Sequence, residues 1–380
     1  MVKIQPGIIC RGKKTSKFHK GGIKMEEQKK GDRRKIAKIE KVGIILFIGT
    51  MVLLVVKPSV MGDLFNAMFL KAKPIIVDIY LASPVAGAII ISVMIGRILE
   101  RLGFTDALMR IFVPLMKYIK VNAAIAVPAI YNILGDVNAA GRIAAPILKK
   151  AGATKDEQKI AVATLMQQPS SFSIIVFGII CLTAVNAKVF LVFLFSLFLP
   201  VLITPLVLRL TIWRNAKAIA LTDIPSFTPT KPMLSTIFDG AKEGAEILFL
   251  LIIPACAVVF SGIGALEYFK IWPFIQNGLE VFLGWLNIDP NFGSVAILAG
   301  GTLSLAQLMK VVAETPAPLV VGTFIIAASS PLQCIFGQIP NVWKGITDLN
   351  EKECIGAACV GFVIRLLTAG VFGRLLFFLW

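Results

Sequence analysis

Tyr131-Asn-Ile-Leu-Gly-Asp-Val-Asn-Ala-Ala-Gly-Arg-Ile-Ala-Ala-Pro146 is the stretch on which the reading of this chain turns. Strongly apolar sequence surrounds it, yet it holds Asn132, Asp136, Asn138 and Arg142 around Gly135 and Gly141. Apolar arms flank the polar centre, Val121–Leu134 before it and Val137–Leu148 after it. At about 1.5 Å per residue such an arm reaches roughly 20 Å, short of a hydrocarbon core about 30 Å thick. Both outer ends are basic, with Lys117 and Lys120 on one side and Lys149 and Lys150 on the other. Lys and Arg favour the cytoplasmic side, so both ends belong there. The stretch therefore predicts a hairpin that enters the membrane, turns at Leu134-Gly135-Asp136 and leaves on the side it came from. Non-helical backbone and ionisable groups survive at that depth only inside protein or beside a water-filled cavity. A helix-turn-helix dipping near the interface is the alternative.

Composition sets the frame around this hairpin. The 380 residues are 57% hydrophobic and 16% charged, with a mean hydropathy of +0.82. Those values exclude a soluble globule and point to an all-α polytopic membrane protein. The apolar runs are long and continuous, unlike the alternating strands of about ten residues in a barrel. In a soluble protein the net charge of +17 would suggest nucleic acid. Here residues 1–41 hold fourteen Lys/Arg against four Asp/Glu, which reads as a basic cytoplasmic tail beside the first span. No nucleic-acid partner is expected, and membrane lipid is. The first apolar run starts only near Val42 and has no small-residue cleavage pattern, so it stays as a span with the N-terminus inside. Residues 1–24 are basic, acid-free and without apolar periodicity. Gly21-Gly22-Ile23-Lys24 precedes Met25, and Gly-Gly codons can spell a ribosome-binding sequence before a start at Met25. Residues 1–24 are accordingly expected to lie outside the native protein, with a lipid-binding tail as the alternative. The six Cys are scattered without a C-x-x-C, and the single His19 is in the tail, so no metal site is expected.

Residues 42–83 read as a first span followed by an amphipathic interfacial segment, interrupted at Pro74. Pro84–Leu102 is a span closing on Arg97, Glu100 and Arg101. Phe104–Ile119 is an amphipathic helix on the inner surface. After the hairpin, Ile160–Val185 is long enough to cross, but Gln167-Gln168-Pro169-Ser170-Ser171-Phe172-Ser173 breaks it. Lys188–Leu210 spans again. Residues 215–240, with Pro225, Pro229 and Pro232, form a cytoplasmic linker.

The order then repeats: a span over Ala241–Leu266, and an amphipathic stretch with Trp272 and Trp285 at the interface. Next come short arms around Gly300-Gly301-Thr302-Leu303-Ser304, a run broken at Ser329-Ser330-Pro331-Leu332-Gln333, and a last span from Ile355. An odd number of crossings separates the halves, so the second hairpin enters from the outside. The fold expected is two inverted-topology repeats, residues 84–214 and 241–380, each with a re-entrant hairpin and a Pro-broken span. That is an architecture of secondary transporters with a midplane site.

Asn132–Pro146, Gln167–Ser173 and Val312-Ala-Glu-Thr-Pro-Ala-Pro-Leu-Val320 give the chain a resemblance to the Gate, or nucleoside-recognition, domain. That domain occurs in concentrative nucleoside transporters, ferrous iron transporters and spore-maturation membrane proteins. The third stretch is similar to the Gly-Gln-Thr-Glu-Ala-Pro-Leu of nucleoside transporters, whose polar residues hold the nucleobase. The resemblance makes Glu314 and Thr315 candidates here, although Gln and Gly are missing and Thr and Pro follow the Glu. It implies a transport-type protein of a bacterial cytoplasmic membrane. The expected solute is small and polar, with nucleoside-like molecules among the candidates and Na⁺ or H⁺ as coupling ion. An accessory subunit of a spore-maturation type complex is the alternative, and a second copy or a second Gate-domain protein is the partner to expect.

Asp136 is the leading site residue, as a cation, proton or solute group at the hairpin tip, or else as the cap of the helix that follows. Arg142 could pair with it or bind an anion. Asn132, Asn138, Gln167, Gln168, Ser170 and Ser171 offer neutral donors and acceptors, as do Thr302, Ser304, Ser330 and Gln333 in the second half. Interhelical hydrogen bonding is the competing role for all of them. Arg365 and Arg374 in the last span pair inward or snorkel. Leu134-Gly135-Asp136 has a likeness to the Gly-x-Gly-Asp of intramembrane aspartyl proteases, but Ile133 takes the first Gly position. A dyad also needs a second Asp in another span, and none is evident. No enzyme and no cofactor are expected.

Overall fold

The computed structural model describes residues 37–221 and 224–375, and in them every regular element is a helix. The tail reading for residues 1–24 lies outside the described residues. The chain divides after Pro58 into two compact units. The first contributes α1 (Lys38–Val56), a span-length helix with no buried residue and a mean hydropathy of 2.3 in its best window.

The second unit begins in α2 (Pro58–Leu81), followed by α3 (Val85–Arg101), with a 57° bend between them. Residues 64–82 were expected to be an interfacial segment. The interruption expected at Pro74 is absent: the helix continues through it, because its last turns, Pro74–Leu81, widen to π geometry. A π turn shifts the backbone pairing by one residue and so absorbs the N–H that Pro74 lacks. The surface helix α4 (Phe104–Ile119) buries one apolar face, Leu108, Met109, Phe112, Val113 and Met116. The hairpin follows as α5 (Ala123–Asn132) and α6 (Val137–Lys150). The first broken span is α7 (Lys155–Leu165) and α8 (Phe172–Ala184), and α9 (Val189–Thr211) returns.

The second half repeats that order in the opposite sense: α10 (Met233–Tyr268), the surface helix α11 (Trp272–Trp285), then the hairpin α12 (Pro290–Leu298) and α13 (Gly301–Leu308). The second broken span is α14 (Ala317–Ala328) and α15 (331–343), and α16 (Glu351–Leu375) ends the described chain. Among the described residues, five helices are long and apolar enough to cross a membrane, or up to seven with the bent pairs counted as spans. The protein is an all-helical, multi-pass membrane protein. α10 starts at Met233, eight residues earlier than the Ala241 expected, because Pro232 ends the linker and the Ser and Thr after it are tolerated in a first turn.

α3 and α10 lie close along their length because Gly240 and Gly244 leave no side chain between them. A Cβ on Gly244 would stand 2.8 Å from Ile90 Cα, and one on Gly240 would stand 3.1 Å from Met94 Cα. Small residues permit such approach where lipid supplies no hydrophobic drive. The linker is not free. Its described residues up to Pro232 form no regular structure, and Glu157, Asp106 and Arg101 are among the side chains that fasten it. Buried Glu157 accepts from Asn122 N at 2.9 Å and Lys217 N at 2.8 Å through one oxygen, and from Thr154 N at 2.8 Å through the other. Asp106 on α4 accepts from Phe227 N at 2.6 Å and from Thr228 N and Ser226 Oγ at 3.2 Å, as well as from the Thr228 hydroxyl. Arg101 Nε donates to Lys231 O at 2.9 Å.

Candidate functional site

Gly135 N donates to Tyr131 O at 3.1 Å, closing the turn of the first hairpin. Asp136 follows in extended conformation, and its Oδ1 accepts from Asn138 N at 2.8 Å and Ala139 N at 3.1 Å. It is thus the cap of α6, satisfying two donors that a helix start leaves open. Oδ2 takes neither of these bonds, and Asp136 lines a small cavity.

Around that cavity four interrupted segments are laced together. Asn132 Nδ2 donates to Pro169 O at 2.8 Å, tying the first hairpin to the first break. The breaks are joined by Ser170 Oγ and Ser330 Oγ at 2.6 Å and by Ser170 N to Ala328 O at 2.8 Å. Gly301 N donates to Ser330 Oγ at 2.9 Å, and Gln333 Nε2 to Ala299 O at 3.1 Å, tying the second break to the second hairpin. Ser173 and Thr302 hydroxyls, 3.1 Å apart, close a ring of the two breaks and the second hairpin, to which Asn132 ties the first hairpin. The turn at Gly300 has φ +109°, and a Cβ on Gly301 would stand 1.7 Å from Ala327 O, so only glycine fits. Ser330 holds a left-handed φ of 41°. Strain of this kind persists where the surroundings over-determine it, and it clusters at functional sites.

The cavity is polar on the ring side, where Asp136, Ser170, Ser171, Thr302, Ser330 and Gln333 meet, and apolar where Ile247, Leu251 and Ile252 of α10 face it. Such a mixture of apolar wall and convergent polar groups is the lining of small-molecule sites. A second cavity beside it joins Asp136 and Ser171 to Arg97 and Glu243. Arg97 is gripped there by Glu243 through both oxygens, one at 2.6 Å from Nε. It also reaches Glu100 at 2.5 Å and the Tyr131 hydroxyl at 3.4 Å. The cluster couples α3 and α10 to the base of the hairpin turn.

Several expected residues lie elsewhere. Arg142 is exposed, and no ion pair joins it to Asp136 among the described residues; it lies on the opposite side of α6 from the buried stripe. Asn138 takes part through its backbone N–H. Gln167 and Gln168 are buried but turned away from the cavity: Gln167 Nε2 bonds to Ala163 O and Gly361 O, and Gln168 Nε2 to Leu197 O at 2.9 Å. Here the interhelical role wins: both amides donate to main-chain carbonyls of packed helices. Ser304 Oγ bonds to Phe292 O within the second hairpin. Glu314 is exposed in a 3-10 turn after that hairpin, and Thr315 Oγ1 bonds to Val311 O at 3.1 Å, so neither reaches the cavity. Tyr80 and Gln338 do line it and were not anticipated. Gln338 carried a signal, a polar residue within an apolar run, five places after Gln333. Tyr80 lay in a segment read as interfacial and carried none.

No family model matches the chain, and no curated protein does. Solved structures do. One is CNTnw, a concentrative nucleoside transporter, in an inward-facing substrate-bound state: 13% identical, TM-score 0.57, over 88% of this chain and 83% of that one. Another is a doubly substituted CNTnw in an outward-facing state: 11% identical, TM-score 0.53, over 89% and 87%. At such identity the likeness speaks for the fold alone, and the fold of this chain is of the concentrative nucleoside transporter kind.

Proposed function

We propose that the chain is a membrane transporter of a small polar solute, nucleoside-like in chemistry, which binds in the ring cavity. One observation carries this reading: both hairpin turns and both helix breaks contribute polar groups to one cavity. Transporters of broken, repeated helices place their solute at such a meeting point. Hydroxyls of Ser170, Ser171, Thr302 and Ser330 and the amide of Gln333 suit a ligand rich in hydroxyls and ring nitrogens. The apolar wall from α10 suits a flat ring. Asp136, a carboxyl group lining the cavity, is the group for a coupling Na⁺ or H⁺.

Thermal unfolding of the purified protein against nucleosides, amino acids, organic acids and NaCl tests this. A nucleoside at about 100 times its Kd stabilises by roughly 2.7 kcal/mol, a readily measured rise in Tm. Uptake of the same compound into proteoliposomes completes the case. Stabilisation by none of these solutes, with no uptake, removes the reading and leaves the accessory-subunit role.

A further inference from the structure

α16 carries a guanidinium in the core with no carboxylate to balance it. Arg365 is wholly buried, and among the described residues no Asp or Glu pairs with it. A buried charge without compensation is costly. What Arg365 meets is main chain: Nε donates to Ile325 O at 2.6 Å, and Nη1 donates to Gln167 O at 2.8 Å and to Ser196 O.

Each of the three carbonyls lies where regular α-helical pairing is interrupted. Ser196 is in the π turn Leu194–Phe198 of α9, just before Pro200. Gln167 lies just after the end of α7 and two residues before Pro169. Ile325 lies in the last turn of α14, where the N–H of Ser329 goes to Ala327 O instead. One cation thus collects carbonyls from the ends of α7 and α14 in the two broken spans and from the π turn of α9. Helix C-termini carry partial negative charge, equivalent to about half a unit each. In transporters with broken helices, such ends are where a cation is coordinated. The oxygens Gln167 Oε1 and Ser196 Oγ of the same residues are also buried without a partner, as is Nη2 of Arg365.

We propose that Arg365 is a built-in cation, filling an oxygen cage at the carbonyl ends of the two broken spans where a free monovalent cation would otherwise be held. The cage is separate from Asp136, and the proposal stands whatever solute the central cavity takes. It makes Arg365 a positioning residue: by holding Gln167 O and Ile325 O together it sets the spacing of the breaks that carry Ser170 and Ser330.

The test is thermal unfolding of the full-length protein in detergent, as wild type, Arg365→Lys, Arg365→Met and Arg365→Ala, each in choline chloride with and without millimolar guanidinium chloride. Arg365→Met should lower Tm by roughly 5–10 °C, and Arg365→Lys, which keeps the charge, by about half as much. Guanidinium should raise the Tm of Arg365→Ala and leave that of the wild type unchanged. Equal losses in Lys and Met variants, with no guanidinium effect on Arg365→Ala, would mean that only packing matters and would overturn the proposal. Should Arg365→Ala fail to fold, the Lys–Met comparison decides, read as monodisperse yield in gel filtration. No solute enters either readout, so failure here and failure of the transport reading are distinct results.

Discussion

Asp136 Oδ1 caps the start of α6 and the residue also lines the cavity, so the proposed function asks one side chain to be cap and site together. The two roles separate by substitution. Asn caps a helix as well as Asp does, whereas Ala loses about 1 kcal/mol at such a position. Asp136→Asn is therefore expected to keep expression, gel-filtration profile and Tm while uptake into proteoliposomes is lost. Asp136→Ala should lose stability as well. If the Asn variant keeps uptake while the Ala variant loses stability, the cap is the whole of its role. Asp136 was legible in the sequence because a carboxylate in a short apolar arm has few reasons to be there. Gln167 and Gln168 were legible as buried polar groups but not in their direction. An amide beside a proline break serves a ligand or a neighbouring carbonyl equally well. Which it meets depends on the turn at Pro200 and on α16, both far away in sequence.

Hairpins and breaks are elements that local chemistry announces. Proline removes a donor wherever it sits, and an arm of fourteen residues is too short to cross whatever surrounds it. The linker is the opposite case. Its composition marks it as irregular, yet nothing in it shows that Asp106, Arg101 and Glu157 hold it down. Asp106 lies on the surface helix α4, outside the spans. Burial pushes its carboxyl up, but hydrogen bonds from Thr228, Phe227 and Ser226 outweigh this and hold it below its ordinary value. A folded value below the unfolded one means that this contribution is present above the usual Asp pKa of about 3.9. It is lost as pH falls through the folded value. At neutral pH the linker is thus fastened, and Phe227 rests on the ring of Tyr131 with centroids 4.9 Å apart. Asp106→Ala should release it. Hydrogen bonds to a charged group are worth about 1.5–3 kcal/mol each in favourable cases. Losing even 1–2 kcal/mol of local stability raises the open population roughly 5–30-fold. Limited proteolysis between residues 212 and 232 should accelerate by that order, with Tm of the whole protein little changed. Cleavage at the wild-type rate would show that Arg101 and Glu157 suffice.

At the scale of the molecule, the repeat was readable because span, surface helix, hairpin, broken span and span recur in order even where identity between halves is slight. Boundaries were less so. α2 runs through Pro74 and α10 starts at Met233, because a π turn and a proline cap are decided by backbone pairing that hydropathy does not register. The motif-like Val312–Val320 stretch misled for a related reason: it matched by residue type while the fold carried it to the outer end of a hairpin, away from the cavity. What the fold leaves to experiment is which way it sits in the membrane. Lys and Arg collect on the face that holds Lys117, Lys120, Lys149, Lys150, Arg214 and Lys217, and the positive-inside bias puts that face in the cytoplasm. The turn before α9 then lies outside. Ala220 and Lys188 are exposed on the two sides, whereas the native Cys181, Cys256, Cys334 and Cys354 are buried and Cys359 is half-buried. With Cys359 and Cys10 replaced by Ser, a membrane-impermeant maleimide applied to intact cells should label Lys188→Cys and spare Ala220→Cys. Permeabilised cells should show both labelled. The reverse pattern in intact cells would turn the protein over, putting the linker outside. Asp136 would then be reached by the hairpin from the external face, with the cavity itself unchanged.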